Sequence, residues 1–310
     1  MQRFLPLALL IGAVLPAQDP TIRQAVINPS TQRPEAVRTM PASLKGTAVT
    51  ADGSLWALIY YHDGASDSSS TVQAQNASRF LLLYVSKDGG RSWSQATRTR
   101  TSGSTYGSMA VDPDGYTLHV AWYAWNGKLD TSNLLVTNIF YSAYDTRTGT
   151  WAGTKDEEIV PGTNNSSGAY SWADIAITPK GVIGVTFGCA RGVPAGWVGA
   201  SGSWLAGFLW KTKGGVWSAP HQLSLDGCGV YANIQAIGEE FHTSYRTVTG
   251  GYGVCYRRFD AAAQQFGPEG EIPFVADPAN PTKNISNLYA NNNCHVGLLA
   301  NGDIYALYAT

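Results

Sequence analysis

Apolar and polar positions alternate with a period of two through most of the chain, in short runs broken by glycine-bearing turns. Five segments repeat one pattern: GTAVTADGSLWALIYY (46–61), SMAVDPDGYTLHVAWYA (108–124), ADIAITPKGVIGVTFG (173–188), ANIQAIGEEFHTSYR (232–246) and CHVGLLANGDIYALYAT (294–310). Asp-Gly, Lys-Gly and Asn-Gly between alternating runs predict tight hairpins. The turn glycines Gly53, Gly115, Gly181, Gly238 and Gly302 are spaced by 62, 66, 57 and 64 residues. The Gly238 turn lacks a preceding polar turn residue and is the weakest of the five.

A second hairpin follows each of the first four, at 79–93, 138–151, 206–217 and 252–266, and each closes on an aromatic: Trp93, Trp151, Trp217 or Phe266. One repeat is therefore four antiparallel strands, the unit of a β-propeller blade. The predicted fold is all-β, a five-bladed propeller. The fifth blade combines the last hairpin with two short strands, Thr21–Ile27 and Ala36–Met40, so that strands from both termini close the ring and cover its open edges. A six-bladed ring lacking its last part and a sandwich of the same hairpins are the competing architectures.

Composition agrees with many short strands. Of 310 residues, 44% are hydrophobic and 14% charged, with 34 Gly, ten Trp and sixteen Tyr. That hydrophobic share supports a folded core rather than disorder. The net charge is −1 and no basic block occurs, which argues against a nucleic-acid partner. Residues 1–17 read as a secretory signal: a positive Met1-Gln2-Arg3, an apolar run from Phe4 to Leu15, and a small residue, Ala17, before Gln18. Twelve apolar residues make about 18 Å of helix, short of a bilayer core of about 30 Å. A single propeller domain, 18–310, is then secreted, extracellular or periplasmic, with no membrane span after cleavage; the alternative is an uncleaved buried segment. The four cysteines suit an oxidising compartment. Cys189–Cys228 and Cys255–Cys294 each lie 39 residues apart, and two disulfides with those pairings would tie adjacent blades. No metal-binding motif or cofactor fingerprint is present, and oligomeric state is left open.

Ser86-Lys87-Asp88-Gly89-Gly90-Arg91-Ser92-Trp93 resembles the Asp-box of the sialidase-like (neuraminidase) β-propeller superfamily. The looser copies are Asp145 to Trp151, Lys213 to Trp217, and Asp260 to Phe266. In such a turn the Asp caps backbone N–H groups, the glycine supplies positive φ, and the Trp packs between blades. Ser86, Asp88, Gly90, Trp93, Asp145, Trp151 and Trp217 are therefore structural. The resemblance implies that binding takes place on the opposite face. Long loops there carry His62, Asp63, Asp67, Trp125, Arg191 and Trp197, and Arg246 opens another. The first residues of the inner strands add Arg38, Tyr106, Trp172, Asp174, Tyr231, Asn233 and Asn293. Aromatic rings beside polar groups suit sugars, whose C–H faces stack while their hydroxyls hydrogen-bond.

The same resemblance implies an arginine cluster for a substrate carboxylate, to which Arg38, Arg191 and Arg246 would contribute, and an acid/base Asp, which Asp63 or Asp67 would supply. Trp125, Trp172, Trp197, Tyr231 and Asn293 would complete a substrate-binding surface. Two positions depart from the family: Asn293-Cys294-His295 stands where its Tyr nucleophile belongs, and Tyr61-His62 where an Arg belongs. His62 and His295 leave open a histidine-based hydrolase or lyase. His119, within a strand, and His221, after an outer turn, are structural. The sequence thus supports a secreted glycan-binding propeller. The alternatives are a carbohydrate-active enzyme (an exo-sialidase-like glycosidase or a polysaccharide lyase) and a structural or adhesive surface protein. The expected partner is a glycan or polysaccharide.

Overall fold

Every one of the repeated segments forms the hairpin its alternation predicts. The computed structural model describes residues 37–38, 45–62, 79–129, 135–162, 169–190, 196–198, 204–225, 230–246, 254–271, 276–277, 280–284, 294–298 and 304–308. The first sheet holds β1 (Val37–Arg38), β2 (Thr47–Val49), β3 (Leu55–His62), β4 (Arg79–Ser86) and β5 (Ser94–Arg98). The second holds β6 (Ser104–Val111), β7 (Thr117–Leu129), β8 (Leu135–Asp145), β9 (Thr150–Trp151) and β10 (Glu157–Val160). The third holds β11 (Ala169–Ile177), β12 (Ile183–Ala190), β13 (Trp204–Lys211) and β14 (His221–Gln222). The fourth holds β15 (Val230–Ile237), β16 (Glu240–Arg246), β17 (Val254–Asp260) and β18 (Gln265–Glu271). β19 (Ala276–Asp277) pairs with β20 (Asn280–Asn284), and β21 (Cys294–Leu298) with β22 (Ile304–Tyr308). One parallel pairing, Ala169 with Thr137, links the second and third sheets; the other pairings among the described residues are antiparallel.

Turn chemistry explains the hairpins. Gly53, Gly115 and Gly181 have φ of 80°, 78° and 80°, a region that costs a side-chain-bearing residue free energy. Even the weak turn closes, with Ile237 opposite Glu240 across Gly238 and Glu239.

One expectation is corrected. Val37–Arg38 does not join the last hairpin. It pairs antiparallel with the first sheet, Val37 opposite Tyr61 and Arg38 opposite Tyr60. The reason lies in β3, which has eight residues while β2 covers only Leu55 to Ala57. The backbone groups at Tyr60 and Tyr61 need partners, and β1 supplies them. Residues 21–27 lie outside the described residues.

The sheets bury both faces, which accounts for unbroken apolar runs such as Phe80–Val85. Leu58, Leu81, Leu83, Met109, Leu118 and Trp122 form the core between the first and second sheets. Ile139, Tyr141, Ile175, Val185, Phe187 and Leu205 form that between the second and third. Phe208, Leu223, Ile234, Phe241, Tyr245 and Phe259 fill the next. On the other face of the first sheet Ala57, Ile59, Leu82 and Tyr84 are also buried, with Phe80 and Trp93 against them.

The hairpin-closing aromatics pack against the preceding sheet. Trp151 donates from Nε1 to Thr97 Oγ1 (3.0 Å) and Arg98 O (3.1 Å). Trp217 meets Tyr141 edge-on at 5.1 Å, and Phe266 meets Phe208 at 5.6 Å. The chain crossing from the first sheet to the second is clamped by Asp156. Its carboxylate accepts from Arg100 N (2.9 Å), Arg100 Nε (3.0 Å), Thr101 N (2.8 Å) and Thr101 Oγ1 (2.9 Å).

Candidate functional site

The antiparallel order gives each sheet two unlike ends. The hairpin turns gather at one end, where Ala51 N donates to Gly115 O (2.8 Å) and Lys180 N to Glu239 Oε1 (3.2 Å). This end is capped by carboxylates. Asp88 accepts from Arg91 N and Ser92 N, both at 2.9 Å, and from Ser92 Oγ at 2.6 Å; Gly90 takes a φ of 88°. Asp260 accepts from Ala262 N and Ala263 N, each at 2.9 Å. The hydroxyl and amide of Ser92, with Ser86, hold the Asp88 carboxyl far below its ordinary value. Saturated in this way, these carboxylates have a structural role.

The inner strands start at the other end, and there the ladder is interrupted three times in equivalent places. Pairing slips between Thr105 and Gly107, between Ser171 and Asp174, and between Val230 and Asn233. The residues left out of register include Tyr106, Trp172 and Tyr231. Bulges of this kind re-aim side chains and are common beside functional sites. Trp172 takes a left-handed backbone, φ 47°, a conformation costing about 1–3 kcal/mol for a residue other than glycine. Tyr106 is sandwiched in an aromatic column, with Tyr60 stacked at 5.8 Å and Tyr123 at 6.0 Å. Tyr106, Tyr123, Trp125 and Trp172 are each partly exposed. Together they put ring faces and edges at one end of the second and third sheets.

The other sequence candidates fall in three groups. Arg38, His62, Tyr231, Arg246 and His295 occupy strand positions at this same end: Arg38 opposite Tyr60, His62 opposite Arg79, Arg246 opposite Val230, and His295 opposite Leu307. Trp197 packs on the core between the second and third sheets, with its ring 6.2 Å from Phe187. Asp63, Asp67, Arg191 and Asn293 lie outside the described residues, as does Cys228. Cys189 and Cys255 are buried, and no disulfide occurs among the described residues.

Sequence reasoning missed two arrangements. The first is a carboxylate–His–Tyr chain that occurs twice. His119 Nδ1 lies 2.6 Å from Tyr141 Oη and its Nε2 lies 3.3 Å from Asp112 Oδ2. His242 Nδ1 lies 2.6 Å from Tyr256 Oη, with Glu240 Oε2 3.6 Å from its Nε2. In both sheets the His is on the second strand and the Tyr on the third, so superposing the repeats would have found it. Burial holds the Tyr141 phenol neutral far above its ordinary range, so the chain is a structural cross-brace. The hydrogen bond from His119, aided by the Asp114 amide and opposed by burial, draws the Asp112 carboxyl down from 3.8 to about 2. A carboxyl depressed in the folded state stabilises above its unfolded value and loses that contribution as pH falls through the folded one. Discounted for solvent screening, stability therefore drops by about 1 kcal/mol between pH 4 and pH 2 on account of this group. Urea unfolding across that range checks it: Asp112→Asn flattens the drop by that amount, and an unchanged slope contradicts it.

The second missed arrangement is central. Lys45 precedes β2, yet its ammonium donates to Ile175 O (2.8 Å) and to Ile234 O, and lies 3.4 Å from Asp174 Oδ1. Lys45 O in turn accepts from Met109 N at 2.8 Å. One residue thus touches the inner strands β6, β11 and β15 beyond their bulges, which draws those strands together around a common centre. No sequence signal marks it, because its partners lie 130 and 189 residues away.

No protein-family model matches the chain, and no curated protein matches it by sequence. Solved structures do. A protein of unknown function from Dyadobacter fermentans is 16% identical over 73% of this chain and 62% of its own, with a TM-score of 0.48. The α-L-arabinofuranosidase of Fusarium graminearum, solved with arabinobiose, is 13% identical over 76% of this chain and 69% of its own, at 0.47. An ulvan lyase of a polysaccharide lyase family, bound to a fragment of glucuronic acid and sulfated rhamnose, is 10% identical over 73% and 55%, at 0.49. At these distances no substrate or activity passes from them to this chain, which spans under two thirds of the first and third of these proteins.

Proposed function

We propose that the chain is a secreted β-propeller that binds glycans at the end where its inner strands start. The observation that carries this reading is the threefold bulge, which sets Tyr106, Trp172 and Tyr231 at equivalent register positions around a common centre. The partly exposed rings of Tyr106 and Trp172 offer stacking faces for sugar rings, and the neighbouring backbone freed by each bulge offers hydrogen-bonding groups. The ring reading is supported by the meeting of Lys45 with three inner strands and by the sheets burying both faces. It is supported further by the buried Ala57–Tyr84 face of the first sheet, which has no described sheet against it and is where a closing fifth blade would lie. Residues 1–17 would be removed on export; amino-terminal sequencing of the secreted protein would then begin at Gln18.

A glycan array with the purified protein tests the function. Tyr106→Ala and Trp172→Ala are each expected to weaken binding of the best array glycan about tenfold, the loss of one stacking contact of about 1.4 kcal/mol. An array without signal, or one on which both variants bind as wild type, would sink this reading. The second reading, a hydrolase or lyase acting on complex glycans, is favoured by the positions of His62, Arg246 and His295 at the same end. Product release from an array glycan, abolished by His62→Ala or His295→Ala, would support it.

A further inference from the structure

The joint made by Lys45 does more than join sheets. Asp174 is fully buried. Its Oδ1 accepts from its neighbour Ile175 N (2.9 Å), and its Oδ2 from Ile234 N (3.0 Å) on the next sheet. Lys45 then closes the figure by donating to Ile175 O and Ile234 O. Pairing of β11 with β12 resumes at Asp174, and pairing of β15 with β16 resumes at Asn233, immediately before Ile234. The carboxylate and the ammonium therefore grip both strands at the points where they recover register after their bulges.

We propose that Lys45 and Asp174 are positioning residues for the binding end: their ion pair fixes the restart of β11 and β15 and thereby sets the register positions of Trp172 and Tyr231. The proposal rests on the glycan-binding reading for its purpose and on the joint for its geometry. An ammonium fits because it is compact and directs three donors from a single atom, and here three acceptors surround it. A guanidinium is planar and larger and cannot make the same three contacts. Burial lowers the pKa of Lys45, and the charge and hydrogen bond of Asp174 oppose that shift, as expected of a cation held by its partner. A left-handed tryptophan two residues before Asp174 persists only if its surroundings over-determine it. The joint is part of that constraint.

Fluorine NMR of the full chain labelled with 5-fluorotryptophan tests the proposal without any glycan. Trp172→Phe and Trp151→Phe assign one resonance near the joint and one on β9 of the second sheet. In Lys45→Met and in Asp174→Asn the Trp172 resonance is expected to shift or broaden while that of Trp151 stays in place. Lys45→Arg, which keeps the charge, is expected to fold and to give a smaller displacement of Trp172 alone. A Trp172 resonance left unmoved by Lys45→Arg and by whichever of the other two variants folds would overturn the proposal. So would equal movement of Trp172 and Trp151, which would mark a joint that merely stabilises the whole. An array without signal would instead condemn the binding reading and leave this measurement standing.

Discussion

Replacing Phe208 with alanine lowers stability by about 4 kcal/mol, the middle of the range for a fully buried phenylalanine. Phe208 is inaccessible to solvent and lies at the middle of the core between the third and fourth sheets. Phe259 stands 4.9 Å from it, Phe266 5.6 Å, and Phe241 and Trp210 5.8 Å each. Four rings around one ring collapse poorly into the space, so most of the cavity term is retained. Relaxation is further limited because Phe241, Phe259 and Phe266 belong to the fourth sheet and are fixed by its ladder. Thermal unfolding should move down by roughly 10 °C for a chain of this size. Urea titration with a fitted slope measures the loss directly. A cost below about 1.5 kcal/mol would mean that the two sheets can close over the void.

Asp156→Ala should cost about 3 kcal/mol, because it strips one acceptor from four donors at once. Two are backbone amides, of Arg100 and Thr101, that have no strand partner in the crossing between sheets. Arg100 keeps its bonds to Gly153 O (2.9 Å) and Ser142 Oγ (2.8 Å), so its guanidinium stays near the vacated site with its charge uncompensated. Asp156→Asn retains acceptor capacity and should lose about half as much. In a double-mutant cycle Arg100→Met recovers part of the Asp156→Ala loss, since it removes the stranded charge. Additive losses in that cycle would show that the amides of Arg100 and Thr101, and not the ion pair, carry the effect.

Much of the fold is legible in the sequence because its determinants are local. Gly53, Gly115 and Gly181 stand at positive φ, flanked by alternating runs, and each specifies a hairpin without help from distant residues. Asp88 caps a turn whose donors lie within four residues of it. The bulged starts could be glimpsed as well: Tyr106, Trp172 and Tyr231 each precede a glycine or alanine at the same place in the repeat. What the sequence hides is pairing over distance. Val37–Arg38 has too few residues to declare a partner, and it fills whichever strand has backbone groups left unmet. Lys45 and Asp156 look like ordinary surface charges until the fold delivers their partners, 130 residues and 56 residues away respectively. The repeated carboxylate–His–Tyr brace was hidden for another reason: the residues in it are individually commonplace, and only their recurrence across sheets two and four is informative.

The docking of β1 onto β3 has a consequence for how the protein must be handled. Any trimmed version starting near Ala42 would strip the partner from Tyr60 and Tyr61, and leave amide and carbonyl groups bare along an apolar strand. Bare strand margins of that kind recruit further copies. Shortening the chain at its front would thus show itself first in self-association, well before any change in the heat needed to melt it.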